Sequence, residues 1–236
     1  MKKRTFSIVA VLAIGILFLS GCSKKALNPE EFSQVFVNRV IYGQDEEKFN
    51  EAYYDAQNFT AQLDSDLDSI DDIFADSFEA SGMDLSDEQS ASMSTSLLDA
   101  VKNQTSYEVT SIEEGEAGSV TVTYSIKGLD FSTLIKNFFQ SFMNKVMANP
   151  EIAMNEDQLN AEAMTILTES MKGLTAKSEA VDVSIRFDIE DGKWYVAEDQ
   201  QSNAESLLFA FFFGAEDEFA LQSELTQVVN ELMAGL

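Results

Sequence analysis

Ile185-Arg186-Phe187-Asp188-Ile189-Glu190-Asp191-Gly192-Lys193-Trp194-Tyr195-Val196 decides how this chain folds. Apolar and polar side chains alternate up to Asp191, and Val181 and Val183 extend the alternation backwards. A period of two places Val181, Val183, Ile185, Phe187 and Ile189 on one face of a half-buried strand. Asp191-Gly192 is the dipeptide that closes a two-residue hairpin, because both central residues need positive φ. Trp194, Tyr195 and Val196 form the return strand.

Working outward, Val120, Val122, Tyr124 and Ile126 alternate cleanly against Thr121, Thr123 and Ser125. Tyr107 and Val109 precede them, with Ile112 one residue out of phase, and Glu113–Gly118 reads as a turn. Everything else has helical spacing. Asn28-Pro29-Glu30-Glu31 opens a helix with Phe32, Val35, Phe36, Arg39 and Val40 on one face, ended by Gly43. Phe49, Tyr53, Ala56, Thr60, Leu63, Leu67, Ile70, Phe74 and Phe78 form one apolar stripe, which predicts a helix from about Asp45 to Ala80, or one broken in its Asp-Ser-rich middle. Ser86 with Gln89 caps the next. Asp130 and Asn155 cap two helices between the hairpins, and two more follow after residue 203. Strands and helices do not alternate one for one, so a parallel α/β sheet is not expected. The fold class predicted is α+β: two antiparallel hairpins forming a curved sheet packed by several helices, with a helical insertion between them. The boundaries are helices over 29–102, a hairpin over 105–127, the insert over 130–174, a hairpin over 179–197 and C-terminal helices over 203–234, all within one domain, 29–236.

Composition excludes a good deal of chemistry. Among 236 residues there are 41 Asp and Glu, 15 Lys and Arg, no His and one Cys, for a net charge of −26. Without histidine there is no Ser-His-Asp triad and no His-ligated zinc. One cysteine allows no intramolecular disulfide. The charge argues against binding nucleic acid through its phosphates. An apolar fraction of 45% is ample for a core, so acidity does not mean disorder here.

The N-terminus locates the protein. Lys2, Lys3 and Arg4 precede an uncharged, mostly apolar run from Thr5 to Gly21 that ends in Leu19-Ser20-Gly21-Cys22. This resembles the lipobox of bacterial lipoproteins. The resemblance implies a diacylglyceryl thioether on Cys22, removal of residues 1–21 as a signal peptide, and Cys22 as the new N-terminus. Two acyl chains anchor stably where one binds only marginally. Cutting discards three basic residues and no acidic ones, leaving 12 against 41 and a net charge of −29. Residues 22–28 are then the lipidated end and tether. The six residues after Cys22 reach about 20 Å at most, so the domain is held close to the bilayer, and Lys24 and Lys25 meet anionic headgroups.

The Asp-Gly-Lys-Trp hairpin resembles the last hairpin of nuclear-transport-factor-2-like (cystatin-like) domains, and the Tyr107–Ile126 hairpin followed by Gly128 fits the same comparison. With the lipobox, the acidic body and the helical insert, residues 22–200 are similar to a family of Firmicute lipoproteins catalogued as domain of unknown function 5105. The resemblance implies a sheet wrapped around helices, often with a conical pocket, which the insert 130–174 would fill or cover. Relatives with that fold include enzymes as well as binding and structural modules.

Candidate chemistry is sparse. Asp64-Ser65-Asp66-Leu67-Asp68 imitates the start of an EF-hand loop, but Ser69 replaces the required Gly and Ala75 the bidentate Glu. It reads as an acidic helix face. Asp71, Asp72 and Asp76 are acid pairs without distinction in so acidic a chain. Tyr107, Tyr124 and Tyr195 lie on strands, where an enzyme of this fold would need a pocket acid. Phe209, Phe211, Phe212 and Phe213 read as a helix buried against the sheet, with a partner-binding or membrane-dipping patch as the sharper alternative. Lys136, Lys145, Lys172, Lys177 and Arg186 are too scattered for a basic patch.

The expected function is a non-enzymatic binding or interaction module, lipid-anchored through Cys22 to the outer face of the cell membrane of a Gram-positive bacterium. It would have an unidentified envelope protein or ligand as partner, no cofactor, no metal and no nucleic acid. The alternatives are an envelope enzyme or small-ligand carrier with a cone-shaped pocket and, in a minor way, a precursor releasing Ile14–Gly21 as a peptide pheromone.

Overall fold

The computed structural model describes residues 26–68, 72, 75 and 85–234. Two hairpins lie side by side in a four-stranded antiparallel sheet of order β1-β2-β3-β4, comprising β1 (Ser106–Glu114), β2 (Val120–Lys127), β3 (Val181–Glu190) and β4 (Lys193–Val196). The turn joining β3 to β4 is the one the sequence calls for, with φ of 50° at Asp191 and 76° at Gly192. Ile112 falls out of phase because β1 bulges between Val109 and Ser111. The extra residue, Thr110, restores the face, so that Ile112 pairs with Val122 as Tyr107 pairs with Ile126.

Helix α1 (Pro29–Tyr42) is capped by Asn28, whose side chain accepts from the Glu31 N–H, and ends at Gly43 with φ of 66°. All five residues of its predicted face are buried or nearly so. They rest on the sheet through ring contacts: Phe36 meets Phe187 edge-on at 4.9 Å and Phe32 stacks on Trp194 at 5.4 Å.

Among the described residues the long helix expected after Asp45 is two helices, α2 (Glu46–Ala52) and α3 (Ala56–Asp68). They are separated by a break at Tyr53–Asp55. Tyr53 forms a parallel bridge with Trp194, the Tyr54 N–H donates to the Trp194 carbonyl at 2.7 Å, and Asp55 turns through φ of 50°. The apolar spacing hides this, because the Tyr53 ring still stacks on Phe49 at 4.7 Å and meets Phe59 at 4.8 Å. One side chain serves the same core from either backbone path. Ile70, Phe74 and Phe78 lie outside the described residues.

Helix α4 (Asp87–Gln104) starts with the reciprocal Ser86–Gln89 capping box. The insert holds α5 (Phe131–Ala148), capped by Asp130, and α6 (Glu156–Lys172), capped by Asn155. Its neck is closed by backbone bonds from Asp130 to the Thr175 carbonyl and from Lys177 to the Gly128 carbonyl, both 2.8 Å. Helices α7 (Gln201–Phe213) and α8 (Glu218–Ala234) follow β4. Gly214, with φ of 60°, ends α7, and α7 packs on β3 and β2. Its Leu207, Ala210 and Phe211 are fully buried, while Phe213 meets Phe131 of α5 edge-on at 5.2 Å. The phenylalanine cluster is therefore sheet and insert packing.

Candidate functional site

The face of the sheet covered by α1 is filled. Phe32, Phe36, Phe49, Tyr53, Tyr124, Phe187 and Trp194 are each no more than 5% exposed and belong to one contiguous cluster. A conical pocket would have to open there, and side chains of α1, α2 and the strands occupy the space instead. The insert adds Leu134, Met164, Leu167, Met171 and Leu174 to the same cluster, while along α5 Phe138 stacks on Phe142 at 5.9 Å and Phe139 is exposed at the surface. Leu134 is the fully buried residue of α5.

The strand tyrosines are locked in neutral states. Tyr124 donates to the Ser33 carbonyl at 3.2 Å, and burial raises its pKa well above the ordinary tyrosine value. The Tyr107 hydroxyl lies 2.9 Å from Asn38 Oδ1, and burial pushes its pKa to about 12. Burial likewise pushes Tyr53 to about 12. Tyr195 stands on β4 near Tyr54, away from the filled interior. Tyr107 lines an open depression of about 660 Å³ with Glu30, Gln34 and Glu108, and its hydroxyl donates to the Gln34 carbonyl and to Asn38 Oδ1.

The raised tyrosines make a testable statement about alkaline stability. A phenol whose folded pKa exceeds its unfolded value of 10 stabilises the fold fully below pH 10, and that contribution disappears as pH climbs through the folded pKa. Tyr53 alone, raised to about 12, accounts for about 2–3 kcal/mol by pH 12. Denaturant midpoints are expected to hold up to pH 10 and fall between pH 10 and 12. The share of phenolate absorbance that comes from the buried tyrosines should rise together with unfolding rather than ahead of it. A midpoint unchanged across that window contradicts the burial of these hydroxyls.

The acidic stretch continues the α3 backbone as far as Asp68. Asp64 lies on α3 and pairs with Arg39 at 3.6 Å. Asp72 is exposed, whereas Asp71 and Asp76 lie outside the described residues. Among the described residues no group of three acidic, Cys or His side chains is arranged to hold a metal ion. The scattered cations are mostly ion-paired: Lys136 with Glu231 (2.9 Å), Lys145 with Glu162 (3.1 Å), Lys177 with Glu224 (2.6 Å) and Arg186 with Asp199 (2.6 Å). Lys177 also donates to the Gly214 carbonyl at 2.8 Å, so it ties the insert neck to the end of α7 and to α8.

What the sequence reading missed is a surface feature. Helices α5 and α8 pack together and leave an apolar groove of about 680 Å³ between them. Phe139, Met143 and Met147 line it from α5, and Val229, Leu232 and Met233 from α8. Met147 is 58% and Met233 68% exposed. The signal was there in spacings of four on α5 and of three and four on α8. Periodicity alone marks an apolar face and does not say whether another element covers it.

Leu19, Ser20, Gly21 and Cys22 lie outside the described residues. The chain next to them is fixed: the Trp194 indole N–H donates to the Leu27 carbonyl at 2.9 Å, so the tether joins the body near the β3–β4 turn. The insert is rooted at the other end of β3, whose ten residues span about 33 Å. Among the described residues no helix is long and apolar enough to cross a membrane.

An open four-stranded antiparallel sheet, packed on its α1 face by aromatic side chains and carrying a helical insert between its hairpins, defines an α+β protein. The chain belongs to the family described as a domain of unknown function (DUF5105), which it matches over residues 19–212, from Leu19 to the last turn of α7. Among solved structures it is similar to a candidate lipoprotein, ycdA, of Bacillus subtilis subsp. subtilis str. 168, with 18% identity and a TM-score of 0.51. That match covers 75% of this chain and 54% of the Bacillus chain, so the chain spans about half the length of that protein and shares its fold. No curated protein matches it.

Proposed function

We propose that this protein is a non-enzymatic interaction module, lipid-anchored by Cys22 on the outer face of the cell membrane, which engages another protein of the envelope. The observation that carries the reading is the filled interior: where an enzyme or carrier of this fold needs an open pocket with converging polar groups, seven aromatic side chains pack against one another. The lipobox Leu19-Ser20-Gly21-Cys22, the similarity to a Bacillus protein described as a lipoprotein, and the tether joining at one end of the sheet support the anchoring. Six of the ten lysines and arginines among the described residues are ion-paired, and the chain carries 41 acidic residues against 15 basic ones, which disfavours an anionic ligand.

The test is crosslinking of the full chain in intact cells with formaldehyde, purification in detergent, and mass spectrometry of both the adducts and an organic extract. A discrete protein adduct and no equimolar small molecule is the expected result. An equimolar metabolite without a protein adduct overturns the reading in favour of a carrier or enzyme.

A further inference from the structure

We infer that the groove between α5 and α8 is a docking site for an amphipathic helix with a basic polar face, supplied by a partner protein; the inference rests on the interaction-module reading and names its partner's chemistry. Phe139, Met143 and Met147 follow one another at intervals of four on α5, opposite Val229, Leu232 and Met233 on α8. Two parallel apolar rows above a trough are what a helix fills with anchors at i, i+3 or i+4, and i+7. From Lys136 to Met147 the trough runs along about 16 Å of α5, close to three helical turns. Methionine suits it, because an unbranched, polarisable side chain repacks around a guest.

Charge selects among occupants. The trough itself carries one opposed pair, Lys136 and Glu231, already joined at 2.9 Å. The charge that selects is that of the whole body, with 41 acidic residues against 15 basic ones. A second copy would bring another strongly acidic body against it. An anionic bilayer is repelled for the same reason, and the insert is rooted at the sheet end opposite the start of the described chain. A helix apolar on one side and basic on the other satisfies both the trough and the acidic body that carries it.

The experiment uses the full lipidated chain in phosphatidylcholine nanodiscs and two synthetic 18-residue peptides. Both peptides share one leucine stripe, with a polar face of lysine in the first and glutamate in the second. The variant is Met143→Gln/Met147→Gln/Met233→Gln, which leaves charge unchanged and alters only exposed side chains. Met147→Gln alone is the second reading should the triple variant lose its circular dichroism signature. The lysine-faced peptide is expected to bind the wild type at least tenfold more tightly than it binds the triple variant, and at least tenfold more tightly than the glutamate-faced peptide binds the wild type. Equal binding to wild type and variant means diffuse attraction to an acidic body and overturns the proposal. So does absence of binding. So does a dimer in sedimentation that the variant abolishes, since the occupant is then a second copy. If the peptides fail while the in-cell crosslink still gives a protein adduct, the groove assignment falls alone. If the crosslink yields only a metabolite, the interaction-module reading falls as well.

Discussion

Cys22→Ala is expected to reduce palmitate labelling of the protein to background and to leave an uncut precursor that retains residues 1–21. The chain has one cysteine, so no second thiol is present to accept the diacylglyceryl group. If lipidation precedes cutting, as the lipobox resemblance implies, losing the thiol also blocks removal of the signal. Membrane retention is therefore the wrong readout, because the uncut apolar run Thr5–Gly21 would hold the variant to the bilayer. The decisive measurements are labelling and the mass of the N-terminal peptide. The variant should be heavier by residues 1–21 and lighter by the lipid. Two acyl chains at about 0.8 kcal/mol per buried CH₂ would give a stable anchor, so labelled wild type is expected to stay with the membrane fraction and not in culture supernatant. Equal labelling of Cys22→Ala would falsify the assignment.

Gly128→Ala is expected to destabilise the fold by about 3 kcal/mol or more. A Cβ at residue 128 would run into the Ala210 carbonyl oxygen, with the carbonyl carbon at 2.8 Å and Gly214 Cα at 3.0 Å. Both sides of this collision are backbone, so no rotamer change relieves it. The close approach is what lets the Leu129 N–H donate to the Phe211 carbonyl at 2.9 Å, satisfying the last turn of α7. Moving α7 away would also uncover Leu207, Ala210 and Phe211, all buried on the sheet. For a chain of this length the loss corresponds to a fall in Tm of roughly 6–12 °C. Gly43→Ala is the control. It has φ of 66° but nothing within 4 Å, so only conformational strain of about 1 kcal/mol applies. Equal melting shifts for the two variants would contradict the packing of α7 on the neck of the insert.

Much of the fold is legible in the residues because local rules set it. The caps at Asn28, Ser86, Asp130 and Asn155 form where side-chain oxygens meet orphan helix N–H groups. The Asp191-Gly192 turn follows from the need for two positive φ angles. Ile112 shows a partial reading: its phase slip is visible, and its cause, a bulge at Thr110, is a property of strand pairing. The division of the predicted long helix at Tyr53 was not legible. Helical spacing is blind to a residue whose ring remains in the same cluster while its backbone leaves to bridge Trp194. Whether the pocket implied by the nuclear-transport-factor-2-like resemblance is open or filled was not legible for a similar reason. A motif in one hairpin says nothing of which rings from α1 and α2 fill the space over the sheet.

By itself the sequence determined the α+β element order, the absence of histidine chemistry, the acidity and the resemblance of Leu19-Ser20-Gly21-Cys22 to a lipobox, because each depends on neighbours in the chain or on counting. Tertiary structure decided that the interior is filled, that Gly128 touches α7, that Lys177 ties the neck to α8, and that α5 and α8 leave their apolar stripes open between them. Each of these depends on residues tens of positions apart meeting in space. The periodicity of one element states which face is apolar, and only its neighbours determine whether that face is covered.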